Sequence, residues 1–409
     1  MQHCLTGIRV LDMSRIFAGP WAGQILADLG AEVIKIERPG RGDESRRLGP
    51  PFLQSEDGTD STESAFYLST NRSKSSIAID YTMDEGRALL HRLIAQADVL
   101  IENYKTGTLK RYGLDYATVS AINPRLVYCS ITGYGQTGPM ARRPGYDTLF
   151  QAAGGLMSVT GNPDGSPGDG PMKVGVVVAD NITGLYGAIS VISALYHRDK
   201  VSGRGQAIDL ALLDCQVATM SHAAMSYLIS DKVPRRLGTG AEAIVPSQMF
   251  KSADRYIVIA VGNDEQFARF CPAIGAPELC DDPRFAGNRN RVKHREVLVP
   301  MIQARLMERS ASEWVDILGQ VGVPCGLVNE LSDVFRDEQI QHREMVVHVD
   351  HPVRGNTPLL NSPMRFSATP VVPPQAPPTL GQHTRHILSS VLGLDAAEIE
   401  QLHLSKVVQ

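Results

Sequence analysis

Asp180 ends the apolar run VVVAD (176–180), after which the chain turns to small residues in NITGLYG (181–187). A carboxylate in so uncharged a setting either caps a helix or is a working group kept away from water. A second set of polar residues lies upstream. Arg38 directly follows Glu37, Lys74 lies in NRSKSS (71–76), and Asn103, Lys110 and Arg111 lie in ENYKTGTLKRYG (102–113). Each is an ordinary solvated side chain when taken singly. Together they follow strand-like runs, beyond whose carboxyl ends open parallel sheets bind ligands. They are therefore expected to converge on one polyanion, with Arg38 suited to an isolated phosphate such as the 3′-phosphate of coenzyme A. A dinucleotide fits less well. Glu37 stands where an acid would meet a ribose, but the turn SRIFAGPWAG (14–23) lacks the G-x-G-x-x-G spacing.

These residues need a scaffold, and the sequence predicts one. IRVLD (8–12), EVIKIE (32–37), SSIAID (75–80), DVLIEN (98–103) and LVYCSI (126–131) read as strands. GPWAGQILADLG (19–30) and EGRALLHRLIAQA (85–97) read as the helices between them. That alternation predicts an α/β fold with a parallel Rossmann-like sheet. Residues 181–230 read as mainly helical. The texture changes near 226, where GTGAEAIVPSQMF (238–250) leads to a strand-like YIVIAV (256–261). The division expected is a large domain over 1–200 to which 330–409 returns, a helical linker over 201–225, and a smaller α/β domain over 226–329. The proline-rich 349–384 is expected to run as an extended strap over the surface.

Composition excludes other classes. The chain has 409 residues, 43% hydrophobic and 21% charged, with a formal net charge of −4. No basic block suggests nucleic acid as a partner. No apolar run approaches the roughly 18 residues that span a membrane, and no signal peptide precedes the first strand. The six cysteines, Cys4, Cys129, Cys215, Cys271, Cys280 and Cys325, show neither zinc spacing nor a C-x-x-C pair. A cytoplasmic protein with reduced thiols and no metal is expected.

Four stretches carry a resemblance: LDMSRIFAGPWAGQILADLGAEVIKIERPGRGD, ENYKTGTLKRYGLDY, LVYCSITGYGQTGP and GYDTLFQAAGGLMSVTG. With HPVRGNTPLLNSPMRFSATP and PPTLGQHT near the C-terminus, the chain resembles the class III CoA-transferases (CaiB/BaiF, formyl-CoA transferase type) along essentially its whole length. IVPSQMF, VGNDEQFA and GPPF look most similar to the succinyl-CoA:glutarate (hydroxymethylglutarate) transferases. The resemblance implies an interlocked homodimer, two chains threaded like linked rings. It implies transfer of CoA, held as a substrate and product thioester, from succinyl-CoA to a dicarboxylic acid of the glutarate, 3-hydroxy-3-methylglutarate or itaconate type. ADNITG aligns Asp180 with the family's nucleophile, which forms an acyl anhydride and then an aspartyl-CoA thioester. CoA contacts implied are Phe17, Ala18, Arg38, Asn71, Lys74, Asn103, Tyr104, Arg111, Arg143 and Tyr146. Acceptor contacts implied are Asp147, Gly238, Gly240 and, for the distal carboxylate, Arg46 or Arg47 in GDESRRLGPPF (42–52).

Two rivals remain at this level. α-Methylacyl-CoA racemases share the GYD surroundings but carry a histidine where Tyr146 stands, and a tyrosine of pKa near 10 exchanges α-protons poorly. A non-catalytic CoA-binding protein is the other. Two departures limit the likeness: Phe17 stands where formyl-CoA transferases have glutamine, and Gly238-Thr239-Gly240 replaces a run of four glycines.

Overall fold

A computed structural model describes residues 2–409. They form two compact units, one comprising the chain up to Leu156, Val174–Met225 and Gln341–Gln409, the other Met157–Lys173 and Ser226–Ile340.

The first unit is built on six parallel strands: β1 (Arg9–Asp12), β2 (Glu32–Glu37), β3 (Ser75–Ala78), β4 (Val99–Glu102), β5 (Val127–Thr132) and β6 (Ala207–Ala211). Their spatial order is β3-β2-β1-β4-β5-β6. This is the doubly wound arrangement, whose order reverses between β1 and β4 and opens a ligand crevice there. The period of two in the strands explains the two apolar layers. Val10, Val33, Val99 and Ile101 pack on one face with α1 (Ala18–Asp28) and the helix Val178–His197. Leu11, Ile34 and Leu100 pack on the other with α2 (Asp84–Ile94) and the C-terminal helices.

Two segments differ from the sequence reading. Residues 201–225, expected to be a helical linker, contain β6, an edge strand of the main sheet. Its alternating exposure gave only a faint strand signal before the following helix, Leu212–Thr219. Residues 349–360, read as part of the strap, belong to an antiparallel hairpin of Val346–His351 and Gly355–Leu360. The extended part follows, held by backbone bonds from Val372 to Asp28 and from Ser73 to Gln375, each donated by the first-named N–H. A further difference concerns length and apolarity. Val178–Ser202 is helical, long and apolar enough by composition to cross a membrane. It lies against α1 on the sheet and is partly buried there.

The second unit has an antiparallel sheet of Ser247–Lys251, Tyr256–Ala260 and Cys325–Leu327, with Tyr256–Ala260 in the middle. Phe250, Ile257, Phe270, Leu298 and Trp314 fill its core. Residues 157–173 belong here: Gly238 donates its N–H to the Gly161 carbonyl, and Arg236 pairs with Asp164.

Candidate active site

A cavity of about 550 Å³ opens beyond the carboxyl ends of β1, β4 and β5, where the strand order reverses. Its walls come from the turn after β1 (Arg15, Ile16, Phe17, Ala18), from Asn103 to Thr106 after β4, and from Thr132 and Gly133 at the end of β5. Arg143, Tyr146, Asp147, Val177 and Asp180 complete them.

Asp180 reaches this wall because of how its helix starts and what it lies on. Val178–His197, α4 after the short α3 (Asp147–Ala153), begins with Val177 at the N-cap position, which has no side-chain acceptor. Asp147 supplies the cap from outside. Its Oδ1 accepts from the N–H groups of Ala179 (2.8 Å) and Asp180 (3.3 Å), and its Oδ2 accepts from Gln151 Nε2 (2.6 Å). Asp180 is therefore in the first helical turn and is not the cap. Glycines set the depth of the contact with α1. A methyl group on Gly184 would lie 2.7 Å from the Ala18 carbonyl oxygen, and one on Gly187 would lie 3.2 Å from Ala22 Cβ. The T-G-L-Y-G run thus lets two helices touch and brings the carboxylate over the β1 turn.

The electrostatics are unusual for an aspartate. Burial, and then the charge of Asp147, push Asp180 up to about 7. Asp147 also takes the N–H groups of Ala179 and Asp180, so they are not free to stabilise an oxyanion. Activity that needs the Asp180 carboxylate should rise with pH through an apparent pKa near 7. Asp147→Asn removes the like charge while keeping an acceptor for the helix N–H groups, so it should lower that value by about one unit. A pH–rate profile of the variant superimposing on the wild type's would refute this.

Other expected residues divide into four groups. Phe17, Ala18, Asn103, Tyr104, Arg143, Tyr146 and Asp147 line the cavity with Asp180. Arg38 lies at the end of β2, its guanidinium 6.0 Å from the Tyr81 ring centroid, and Tyr81 packs edge-on against Tyr112, the neighbour of exposed Arg111. Arg38 and Arg111 are thus brought to one region. Gly238 and Gly240 belong to the second unit.

The last group is corrected, all but Arg47 by burial. Lys74 is fully enclosed and donates to Asp12 Oδ2 (2.8 Å), the Pro20 carbonyl (2.8 Å) and Asn71 Oδ1 (2.9 Å). Burial, partly offset by Asp12, pulls it down to about 8. Neither Lys74 nor Asn71, which is also buried, presents its side chain to a ligand. Arg46 is buried too, spent on Glu37, Glu63 and Tyr67. Arg47 is exposed, with weak bonds to the carbonyls of Gly40 and Arg41, and is not in the cavity wall. Sequence reasoning missed Arg15, which does line the cavity. Its place two residues before Phe17, in the turn after the first strand, was the available signal.

Known proteins resemble the chain along nearly its whole length. The model of CoA-transferase family III matches residues 5–384. Succinyl-CoA:glutarate CoA-transferase of Mus musculus is 43% identical over 405 residues, 99% of this chain and 90% of that protein. Succinate–glutarate CoA-transferase of Agrobacterium fabrum is 43% identical over 387 residues, 95% of each. The crystal structure of a CAIB/BAIF family protein from Brucella suis matches with a TM-score of 0.85 and 43% identity, covering 95% of this chain and 100% of that one.

Proposed function

The chain belongs to CoA-transferase family III, and from that premise we propose that it moves CoA from succinyl-CoA to glutarate, with Asp180 as nucleophile. The observation that carries this reading is a half-buried carboxylate, beside Asp147, in the wall of a crevice at the sheet's switch point.

The chemistry balances with one side chain. The Asp180 carboxylate attacks the thioester carbonyl of succinyl-CoA, giving a succinyl-aspartyl anhydride and CoA thiolate. The thiolate attacks the aspartyl carbonyl, releasing succinate and leaving an aspartyl-CoA thioester. Glutarate then attacks that thioester, forming a glutaryl-aspartyl anhydride and expelling the thiolate. The thiolate finally attacks the glutaryl carbonyl, so glutaryl-CoA leaves and the carboxylate returns. A carboxylate is a weak nucleophile toward a thioester, so orientation must supply much of the rate, roughly 7–11 kcal/mol at its limit. Phe17, Ile131, Val177 and Leu212 give the cavity an apolar lining suited to keeping water from the anhydrides.

Arg38 and Arg111 are proposed as contacts for the CoA phosphates. Phe17, Ala18, Asn103, Tyr104, Arg143 and Tyr146 would line the path of the thioester arm. 3-Hydroxy-3-methylglutarate and itaconate are proposed as further acceptors. An interlocked homodimer is proposed as the working form, supported by Leu185, Tyr186, Ile189 and Tyr196, which lie exposed along α4.

The test is an acceptor screen with succinyl-CoA, following CoA esters by mass spectrometry. Glutaryl-CoA, formed only when enzyme and glutarate are both present, is the expected product. No CoA ester from any dicarboxylate would overturn the reading. Exchange of α-protons with deuterated water in the absence of an acceptor acid would replace it with racemase chemistry.

A further inference from the structure

A dicarboxylate acceptor has one carboxylate that reacts and a second that must be held, and the two arginines first suited to hold it are unavailable or outside the cavity. Among the described residues lining the cavity, the cations are Arg15, Lys105 and Arg143. Lys105 and Arg143 are exposed at the rim. Arg15 differs from both in how it is held.

Its guanidinium lies over the Tyr104 ring, 4.4 Å from the centroid. Tyr104 is itself buried and bonded through its hydroxyl to Tyr81 Oη at 3.1 Å. Stacking fixes the plane of the guanidinium and leaves its edges for in-plane hydrogen bonds. Nη1 donates to Glu44 Oε1 at 2.5 Å. Nε is buried and has no partner. Nε and Nη2 form one edge of the fork, the geometry that takes both oxygens of a carboxylate. Glu44 is 55% exposed, and surface ion pairs of that kind are weak enough to yield to a substrate.

The backbone beneath Arg15 is clamped residue by residue. Ser14 donates its N–H to Asp12 Oδ1 (3.0 Å), and its carbonyl accepts from Lys35 Nζ (3.0 Å). Arg15 exchanges two bonds with the Asn103 side chain, N–H to Oδ1 at 2.8 Å and carbonyl from Nδ2 at 2.6 Å. Ile16 has φ +71°, a left-handed conformation that a β-branched residue rarely adopts. Its N–H is held by Asp43 Oδ1 at 3.0 Å, and Asp43 is ion-paired with Lys35 at 2.8 Å, both fully buried. So much fixed structure around one turn is what aiming a side chain into a site requires.

We infer that Arg15 is the specificity-determining residue of the acceptor site. Stacked on Tyr104, it takes the distal carboxylate of a dicarboxylic acid on its Nε–Nη2 edge while the other carboxylate reacts at Asp180. This rests on the transfer reading above, and Asn103 serves it as a positioning residue.

The test compares glutarate with pentanoate, which has five carbons and no second carboxylate, as acceptors from one donor. In a double-displacement reaction, kcat/KM for the acceptor reports its own half-reaction. Arg15→Gln should lower the glutarate-to-pentanoate ratio of kcat/KM by about 100-fold, the scale of a lost pair of hydrogen bonds to a charged group. Arg15→Lys, which keeps charge but not the fork, should lower it by about 10-fold. Calorimetric binding of free CoA should match the wild type's in both variants, which also reports that they fold. Equal losses for both acids, or an unchanged ratio, would overturn the assignment of Arg15. A weakened affinity for CoA with the ratio preserved would make Arg15 a CoA contact instead and equally overturn it. A wild type that passes CoA to neither acid would overturn the transfer reading itself.

Discussion

Asp180→Ala is expected to lower CoA transfer by at least about 10⁴-fold, because no other group can take its covalent role. Both anhydrides and the thioester between them are bonds to its side-chain carbon, so an alanine offers nothing to carry CoA while the acids exchange. The same variant should be more stable than the wild type at neutral and higher pH. The folded state holds this carboxyl at about 7, against 3.8 for an unperturbed aspartate. A raised pKa means the folded protein binds its proton more tightly than the unfolded chain does. The penalty is absent below the unfolded value, grows as pH rises between the two, and is complete above the folded one. Removing the carboxylate should therefore stabilise by about 2 kcal/mol near pH 8 and by almost nothing near pH 4. Mass-spectrometric product assays and thermal melts at the two pH values check both halves. An alanine variant retaining more than about one per cent of activity would remove Asp180 from the mechanism. One that loses activity together with stability would make the residue structural.

The opposing signs follow from what the site asks of one residue, and they bear on what a sequence can reveal. Asp180 stood out because a lone carboxylate in apolar company is costly to bury, and that cost is visible in the letters. The strands were legible from their β-branched runs: EVIKIE at 32–37, with Val33, Ile34 and Ile36, coincides with β2. Asp147 was not legible as the cap of α4, because its partners Ala179 and Asp180 lie 32 and 33 residues away. The edge strand β6 carries only Asp209 as a polar residue and runs directly into a helix, so its period of two competes with a helical pattern.

Charged residues were the least legible of all, for one physical cause. An arginine or lysine in a polar loop is usually solvated, and only tertiary structure can deliver the counter-charges that allow it to be buried. Lys74 meets Asp12 across 62 residues, and Arg46 meets the Pro378 carbonyl across 332. Lys74 was read as a ligand contact because it carries the right charge near a strand end, and Arg46 because the family resemblance puts an arginine there for the distal carboxylate. Both instead belong to a layer of buried ions beneath the site. Arg15 looks equally ordinary in sequence and is distinguished only by Tyr104, Asn103 and the strained turn that hold it.

Arg46→Met is expected to be the most destabilising of these substitutions, at about 3–5 kcal/mol. The guanidinium is 3% exposed and bonds Glu37 through Nε (2.9 Å) and Nη2 (2.8 Å), and Glu63 through Nη1 (2.8 and 2.6 Å). Nη2 also donates to Tyr67 Oη and to the Pro378 carbonyl, tying down the C-terminal strap. Methionine fills much of the volume but leaves two carboxylates buried together without a cation. Glu63 is already pushed up to about 7 by its burial, with the charge of Glu37 adding to the effect. With Arg46 gone, Glu63 loses the cation that offsets its burial and should hold its proton to higher pH still. The destabilisation should therefore be largest near pH 8 and ease toward pH 5.5, as Glu63 is neutralised. Glu37 also accepts the Asp43 N–H at 2.9 Å, and Asp43 holds Ile16, so the damage should reach the turn that carries Arg15. Urea midpoints at the two pH values measure the effect, and the glutarate-to-pentanoate ratio separates it from a direct role. A binding role for Arg46 predicts a normal midpoint with a lost preference for the dicarboxylate. The buried network predicts a low, pH-dependent midpoint, with activity toward both acids falling together.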